Sequence, residues 1–332
     1  MKRISTFVML LCIVVLSANA QLLWKVSGKN LPKASYVLGT HHLAPLSILD
    51  SIAGIKQAMT EVEQVYGEIV MAEMQTPAAM QQMQQAILLP GDTTLHTLYT
   101  PAQYDSLAVK VKELMGMDLK MMDKMKPAFL TTQLGVVIAM RAVPGFNPQQ
   151  QLDGWCQAEA QKQGKKVAGL ETMNFQMSVL FGAQSLQRQA AQLLAGMNHL
   201  TDMEQQARNM TTAYMTQDLK QLEQTMNQKF GTAVDVLPEE EDALIYHRNT
   251  KWVESMPAIM HNQPTLFAVG CGHLIGERGI LNLLKQQGYT VEPVKLIKVS
   301  CCKCKLFYRH NYFSKYVYQR TVSNYWYSVV PT

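Results

Sequence analysis

Two apolar runs lie more than two hundred residues apart in this chain and end in the same short motif. The run YVL precedes Gly39-x-x-His42, and the run LFAV precedes Gly270-x-x-His273. Each run has the length and residue types of a buried strand, and an amphipathic helical pattern follows each motif. The repetition predicts two matching strand–helix–strand units, with one histidine at the end of a core strand in each. Open α/β sheets bind ligands at such strand ends.

The remaining pattern predicts an α+β fold, in which a mixed central sheet is built from two pseudo-symmetric strand–helix–strand units with a long helical insertion. Strands are predicted over 22–26, 35–38, 66–74, 166–170, 265–269 and 289–294. Helices are predicted over 48–62, 153–163 and 278–287, at starts near 92–95 and 100–103, and through most of 77–151, 185–229 and 235–260. The Met-rich helices are interpreted as ordinary helical core in preference to a Met-rich binding groove.

The first twenty residues have the pattern of a secretory signal peptide. Lys2 and Arg3 precede an apolar stretch over 7–16, and Ala18-x-Ala20 supplies a small-residue cleavage site. The apolar stretch is too short to remain as a membrane-spanning helix. We expect a mature protein that begins near Gln21, is exported to the periplasm or the extracellular space, and has no permanent membrane anchor.

The net charge of +5 comes from the two ends of the chain. The signal holds two basic residues, and the last 34 residues hold five basic and no acidic ones. Removing these seven from 30 basic residues leaves 23 against 25 acidic residues. The body therefore lacks the basic excess that binds phosphate backbones, and we exclude nucleic acid as a partner.

The chain is expected to divide into the signal at 1–20, one domain at 21–298 and an atypical tail at 299–332. Six of the thirteen tyrosines lie in this tail, interleaved with its basic residues. We interpret it as an extension outside the core; an aromatic and basic binding arm is the alternative.

Cysteine usage favours neither a disulfide scaffold nor a zinc site. Five cysteines remain after signal removal, three of them crowded into the tail, without the paired spacing of zinc ligands. A Cys156–Cys271 bridge is compatible with an oxidising compartment, but the spacing does not decide it.

Two histidines and two glutamates are candidates for a metal-dependent site. His42 and His273 with one or two carboxylates suit a divalent transition metal, which acidifies bound water for hydrolysis. Glu68 is the favoured carboxylate because it lies among apolar residues, where an unpaired charge is costly. Glu171, at a third strand end, is the next candidate. Arg248 would stabilise a developing oxyanion or pair with one of these glutamates.

Each candidate also has a structural interpretation. Either histidine could be a structural residue after a strand, Glu68 an acid on an edge strand, Glu171 a charge at a helix N-terminus, and Arg248 an ordinary surface base. Gly39 and Gly270 are expected to let the backbone turn sharply and approach a ligand closely. A purely structural interaction protein would place the two histidines far apart.

Taken in order, these motifs resemble those of the TraB/GumN family, which includes the animal Tiki proteases. The matching segments are WKV (24–26), YVLGTHH (36–42), YGE (66–68), LD (152–153), VAGLET (167–172), RN (248–249), GCGHLIG (270–276) and GYTV (288–291). The resemblance covers residues 21 to 298.

The resemblance implies an α+β domain related to the erythromycin-esterase and haem-uptake ChaN folds. For Tiki members it implies a metal-dependent protease with manganese or cobalt as the metal, and zinc stays open. Carried over residue by residue, it indicates His42, Glu68 and His273 at the metal, with Arg248 and Asn249 in support.

The sequence therefore predicts an exported metal-dependent hydrolase, in first place a peptidase acting on a peptide or protein. The alternative is a non-catalytic periplasmic or surface protein that binds a peptide or signal molecule in the same cleft. One departure from the family pattern is Cys271, which occupies a position where a small residue such as alanine is usual. A thiol beside the site would affect which metal the site prefers.

Overall fold

The computed structural model describes residues 21–295. The predicted signal peptide and tail lie outside the described residues. Within this range the strands are β1 (Leu23–Ser27), β2 (Ser35–Thr40), β3 (Gln64–Gly67), β4 (Lys166–Gly169), β5 (Thr265–Gly270) and β6 (Thr290–Pro293). The α-helices are α1 (Ile55–Glu61), α2 (Pro77–Ile87), α3 (Leu95–Leu98), α4 (Pro101–Met115), α5 (Pro127–Ala142), α6 (Leu152–Lys162), α7 (Met173–Gly182), α8 (Leu186–Asn198), α9 (Leu200–Met215), α10 (Leu219–Met226), α11 (Pro238–Glu241), α12 (His247–Asn262) and α13 (Ile280–Gln286).

The strands form one mixed sheet in the order β4-β3-β5-β2-β1-β6. The pairs β4–β3, β3–β5 and β5–β2 are parallel, whereas β1 is antiparallel to both β2 and β6. This arrangement confirms the predicted α+β class with a mixed sheet. Among residues 21–295, no helix is long and apolar enough to cross a membrane.

The two motif strands are neighbours at the centre of the sheet. Their register pairs Thr40 with Gly270, so both motifs leave the same edge of the sheet. β2 is buried throughout, and so is β5 up to its last residue, because helices cover both faces. One face packs on a core that contains Met59 and Leu152, and the other on a core that contains Trp252.

The two strand–helix–strand units share their local order but not their place in the sheet. In the first, β2, α1 and β3 follow one another; in the second, β5, α13 and β6 do so. Both units join strands of the same direction, but the first connection passes over β5 and the second over β2 and β1.

Two predicted elements have different bounds from those expected. The helix expected over 48–62 is a 3-10 turn (Leu46–Asp50) followed by α1, separated by Gly54 in the left-handed conformation at φ 73°. The strand expected over 66–74 ends at Gly67, because Gln157 ties down the backbone that follows. Its side chain accepts from the Met71 N–H and donates to the Ile69 carbonyl, each at 2.9 Å. A Cβ on Gly67 would lie 2.9 Å from that carbonyl oxygen.

The helical insertion has a core of its own above the sheet. Leu95, Leu107, Leu130 and Leu193 are fully buried there, contributed by α3, α4, α5 and α8. The predicted helix starts are confirmed, since the hydroxyls of Thr94 and Thr100 cap α3 and α4. Of these helices, α5 reaches the sheet edge where the motifs end, since Phe129, Thr132 and Gln133 line a cavity together with His42.

Candidate functional site

Four polar side chains follow the carboxyl ends of four adjacent strands. Glu171 follows β4, Glu68 follows β3, His273 follows β5 and His42 follows β2. Because these strands are neighbours in that order, the side chains come to one edge of the sheet. Both histidines therefore follow neighbouring strands at one edge of the sheet. The placing of Glu68 on an edge strand is wrong, because β3 lies between β4 and β5.

Arg248 is the centre of a buried ion-pair cluster. Its Nε and Nη2 donate to the Glu171 carboxylate at 3.0 and 2.7 Å, and Nη2 also donates to Glu68 Oε2 at 2.6 Å. The three side chains are 6%, 5% and 11% exposed, so Arg248 is not the surface base that the sequence left open. A π-helical turn (Asp242–Tyr246) leads into α12 and supplies the Leu244 carbonyl as a further acceptor at 2.8 Å. The face of the Trp252 ring lies 4.7 Å from the guanidinium carbon.

Asn249 orients His273. Its Oδ1 lies 2.7 Å from His273 Nδ1, while its Nδ2 donates to the carbonyls of His273 and Arg278 at 3.2 and 2.9 Å. Because Oδ1 only accepts, the imidazole proton is on Nδ1 and Nε2 keeps its lone pair. That Nε2 lies 3.2 Å from Arg248 Nη1 and 3.7 Å from Glu68 Oε1. Burial lowers the pKa of His273 to about 4, so the ring is neutral near pH 7.

Asp153 at the start of α6 is the partner of His42. Its Oδ1 accepts from the Thr40 hydroxyl at 2.6 Å, and its Oδ2 lies 2.9 Å from His42 Nδ1. The ring is at ion-pair distance without the alignment of an ideal hydrogen bond, and this Oδ2 has no hydrogen-bond partner among residues 21–295. The Asp153 charge raises the pKa of His42 to about 9. The His42 side chain is 54% exposed, because one side of the ring opens into a cleft.

Both oxygens of Glu68 are held in place by donors. Oε1 accepts from the Gly270 N–H at 2.8 Å, and Oε2 accepts from Gln176 Nε2 at 2.9 Å as well as from Arg248. Burial alone would raise the Glu68 pKa, but the charge of Arg248, the Gly270 N–H and the charge of His42 together keep it below its ordinary value. Glu68 is therefore a buried, ionised carboxylate.

Both motif glycines lie where an added side chain would meet closely packed atoms. Neither Gly39 nor Gly270 has a positive φ. A Cβ on Gly270 would lie 3.2 Å from Glu68 Oε1, and a Cβ on Gly39 would lie 3.0 Å from Leu274 Cδ2 and 3.2 Å from Cys271 Cα. At both glycines the close approach is to the protein's own atoms, and the chain passes from Gly270 directly into a 3-10 turn (Cys271–Leu274).

The two body cysteines are both buried free thiols, so the bridge that the sequence left open is absent. They share one core cluster on a face of the sheet. Burial raises the pKa of Cys271 to about 12, which keeps its thiol protonated and disfavours it as a metal ligand.

Several residues around the site were missed at the sequence level. Asp153, Gln176 and Trp252 contact the predicted residues but had not been assigned a role. The available signal for Asp153 was the Leu-Asp pair among the resembling segments. Nothing in the local pattern indicated Gln176, because its contact is a hydrogen bond to Glu68, 108 positions earlier in the chain.

His42, Glu68 and Asp153 open into a cavity of about 380 Å3 between the sheet edge and the helical insertion. Its other lining side chains are Ile69, Met71, Met74, Met83, Phe129, Thr132, Gln133, Gln151, Gln157, Gln176, Met177, Leu180 and Phe181. We call this cavity the motif cleft. One end is polar and ionised, and the remainder is largely apolar.

The donor atoms at this edge match the chemistry of a divalent transition metal site. The Nδ1 of each motif histidine faces a side-chain oxygen, from Asp153 or from Asn249, as is typical of metal-binding histidines. Nε2 is then the nitrogen left for a metal, and Glu68 is the nearby carboxylate. Within residues 21–295, however, no three His, Cys, Asp or Glu side chains are grouped so that they could hold an ion. Arg248 bonds to both Glu68 and His273 in this arrangement.

Fold and site together define an α+β protein with a buried carboxylate, guanidinium and imidazole cluster at the carboxyl edge of its sheet. The profile of the TraB/PrgY/gumN family matches residues 22–293, so the chain belongs to this family.

Curated relatives carry the name of a metalloprotease at low identity. The chain is 23% identical over 334 residues to the "Metalloprotease TIKI homolog" of Nematostella vectensis, covering 82% of this chain and 67% of the relative. It is 23% identical over 310 residues to "Metalloprotease TIKI1" of Danio rerio, covering 78% of this chain and 60% of the relative. A match to "Metalloprotease TIKI2" of Danio rerio is 40% identical over 52 residues, covering 15% of this chain and 10% of the relative. No solved structure matches the chain significantly.

Proposed function

We propose that this chain is an exported metal-dependent hydrolase, and specifically a peptidase. The observation that carries the proposal is the pair of motif imidazoles at the ends of two adjacent parallel strands. Each has its Nδ1 against an oxygen of another side chain, which is typical of a histidine that presents Nε2 to a metal. The relatives named metalloproteases support the same class.

In this proposal His42 and His273 would hold a divalent transition metal, and Glu68 would either ligate it or act as the general base. Manganese or cobalt is favoured by the family resemblance, and zinc is the other candidate. When bound, the ion supplies Lewis acidity to a substrate carbonyl and lowers the pKa of a bound water.

The protein's own groups have separate tasks. Asp153 and Asn249 orient the two imidazoles through Nδ1. As the general base, Glu68, ionised and beside His273, would accept a proton from water. Arg248 keeps that carboxylate ionised and brings a positive charge to the edge where a carbonyl oxygen would gain negative charge.

A second candidate is a non-catalytic protein that binds a peptide or signal molecule in the motif cleft. The observation that favours it is the bonding of Arg248, which pairs with both Glu68 and Glu171 without any ion. A cluster that is satisfied by its own side chains can serve as a rigid wall for a ligand.

We also propose the finer assignments that the sequence suggested. These are an erythromycin-esterase or ChaN-like architecture for the domain at 21–298, export through the signal at 1–20, and a tail at 299–332 outside the core. Family membership and the mixed sheet support the first, and the sequence pattern supports the other two.

The test uses purified mature protein loaded separately with manganese, cobalt and zinc. Bound metal is measured by mass spectrometry, and cleavage is measured with a pool of quenched fluorescent peptides. His42→Ala and His273→Ala are expected to lose metal and at least 100-fold in cleavage rate. The matched control is His247→Ala, an exposed histidine next to Arg248 in sequence. Cleavage that survives both motif substitutions would refute the metal site, and peptide binding without metal or cleavage would favour the second candidate.

A further inference from the structure

The motif cleft joins two different surfaces. Its polar end is His42, Glu68 and Asp153, three of the residues that have roles in the proposed function. Its wall comes from the helical insertion, through Met74, Met83, Phe129, Met177, Leu180 and Phe181. Several of these belong to a small apolar core between α2 and α7. A ligand atom held at the polar end therefore has an apolar wall beside it.

The charges of the cleft disfavour an ionised side chain there. The lining includes no lysine or arginine among the described residues. Its two carboxylates already have partners, since Arg248 pairs with Glu68 and His42 pairs with Asp153. An acidic ligand group would face the carboxylates of Glu68 and Asp153, and the only basic side chain in the lining that the structure describes is His42, which already pairs with Asp153. A basic ligand group would lose its hydration for carboxylates that are already paired.

The size and composition of the cleft suit one or two large apolar side chains. About 380 Å3 is at the low end of the range of roughly 300–1,000 Å3 for ligand pockets. Methionine side chains adapt to different apolar shapes, so the wall accepts branched, unbranched and aromatic groups. The amides of Gln133 and Gln151 line the same cavity and offer hydrogen bonds to a peptide backbone.

We infer that the motif cleft is a specificity pocket for a large uncharged side chain, such as Leu, Met or Phe, on the residue next to the cleaved bond. This inference rests on the proposed peptidase function and adds the substrate class. In this arrangement the helical insertion forms the apolar wall of the pocket, and the sheet edge carries the reacting groups.

The experiment compares two substitutions on α7. Leu180 and Phe175 are both 38% exposed, but only Leu180 lines the cleft. Wild type, Leu180→Glu and Phe175→Glu are assayed with quenched peptides Gly-Gly-Xaa-Gly-Gly, where Xaa is Leu, Met, Phe, Asp or Lys. Binding is measured in parallel by calorimetry, with the same peptides N-methylated at the bonds flanking Xaa so that they resist cleavage.

Wild type is expected to show kcat/KM at least tenfold higher for Leu, Met and Phe than for Asp or Lys. Leu180→Glu should lower kcat/KM for the apolar peptides by about tenfold, and Phe175→Glu should change it by less than about twofold. Circular dichroism shows whether both variants fold. The binding affinities of the uncleavable peptides should follow the same order of Xaa.

The outcomes separate this inference from the proposed function. Cleavage without preference at Xaa, or a preference that Leu180→Glu leaves unchanged in a folded protein, would overturn the specificity pocket while the peptidase stands. If no peptide is cleaved with any metal, the peptidase fails and the binding arm decides. Apolar preference that is lost in Leu180→Glu alone would then support the pocket, and indifference to Xaa would overturn it.

Discussion

Replacing Arg248 with methionine tests whether the ion-pair cluster is a structural requirement of the sheet edge. Methionine fills similar volume but leaves two buried carboxylates without their cation. Removing one partner of a buried ion pair costs about 3–5 kcal/mol. Glu68 would keep the Gly270 N–H and Gln176, and Glu171 would keep Trp252 Nε1. Because these donors remain, we expect the free energy of unfolding to fall by about 3–5 kcal/mol and not by twice that amount.

The pH dependence of that loss has a definite sign. In the wild type the Glu68 pKa is below its ordinary value, so this group's stabilisation is present above the unfolded-state pKa and is lost as the pH falls through the folded pKa. Without Arg248, burial dominates and raises the folded pKa above the unfolded one. The loss in unfolding free energy of Arg248→Met relative to the wild type should then be largest near about pH 8. It should shrink toward about pH 5, as the Glu68 carboxylate takes up a proton.

The assay is urea unfolding followed by circular dichroism, at several pH values and with a chelator present. The matched control is Arg141→Met, which breaks an exposed pair with Glu204 and should cost less than about 1 kcal/mol. Adding Glu68→Gln and Glu171→Gln to Arg248→Met should recover part of the loss. A deficit below about 1 kcal/mol, or one that is constant with pH and not recovered, would refute the reasoning.

Three further predictions follow from the same structure. Asp153→Asn should reduce metal affinity and the cleavage rate about 10- to 100-fold, because His42 loses its charged partner. Metal titrations and cleavage rates equal to those of the wild type would contradict this. Glu240→Gln should cost about 1.5–3 kcal/mol near neutral pH, since the Glu240 carboxylate binds Arg188 with both oxygens. Because Arg188 lowers the Glu240 pKa, that cost should vanish in urea unfolding as the pH falls through the lowered value, and persistence in acid would count against it. Gly39→Ala should destabilise by about 1–3 kcal/mol, as the added methyl meets Leu274 and the backbone of the second motif; an unchanged melting temperature would argue against this packing.

The sequence was most informative where one short pattern decides a local structure. Threonine before a helical run predicted the starts of α3 and α4, because a hydroxyl cap acts within one turn. The apolar runs before Gly39 and Gly270 predicted β2 and β5, because strands covered on both faces need continuous apolar sequence. The end of β3 was misplaced, since it depends on Gln157, a residue ninety positions further along the chain.

The residues of the candidate site also divide into those that a local sequence pattern predicted and those that only the structure revealed. Residues that follow a strand in a recognisable motif, such as His42 and Glu68, were predicted from the sequence. The structure brings them to one edge of the sheet. Asp153 and Gln176 were not, because each acts through a contact made across the fold. The choice between one glutamate and the other as a partner of Arg248 was also open, and the structure has it bind both.

By itself the sequence determined that this chain carries two equivalent histidines at the ends of two buried strands in an α+β fold. Patterns of burial and capping are local, and a single chain displays them directly. Only the tertiary structure decided that the two strands are neighbours in parallel register, and that Arg248, Asp153 and Asn249 surround their ends. Those contacts join residues far apart in sequence, and their free energy depends on the burial that packing creates, so no local pattern contains them.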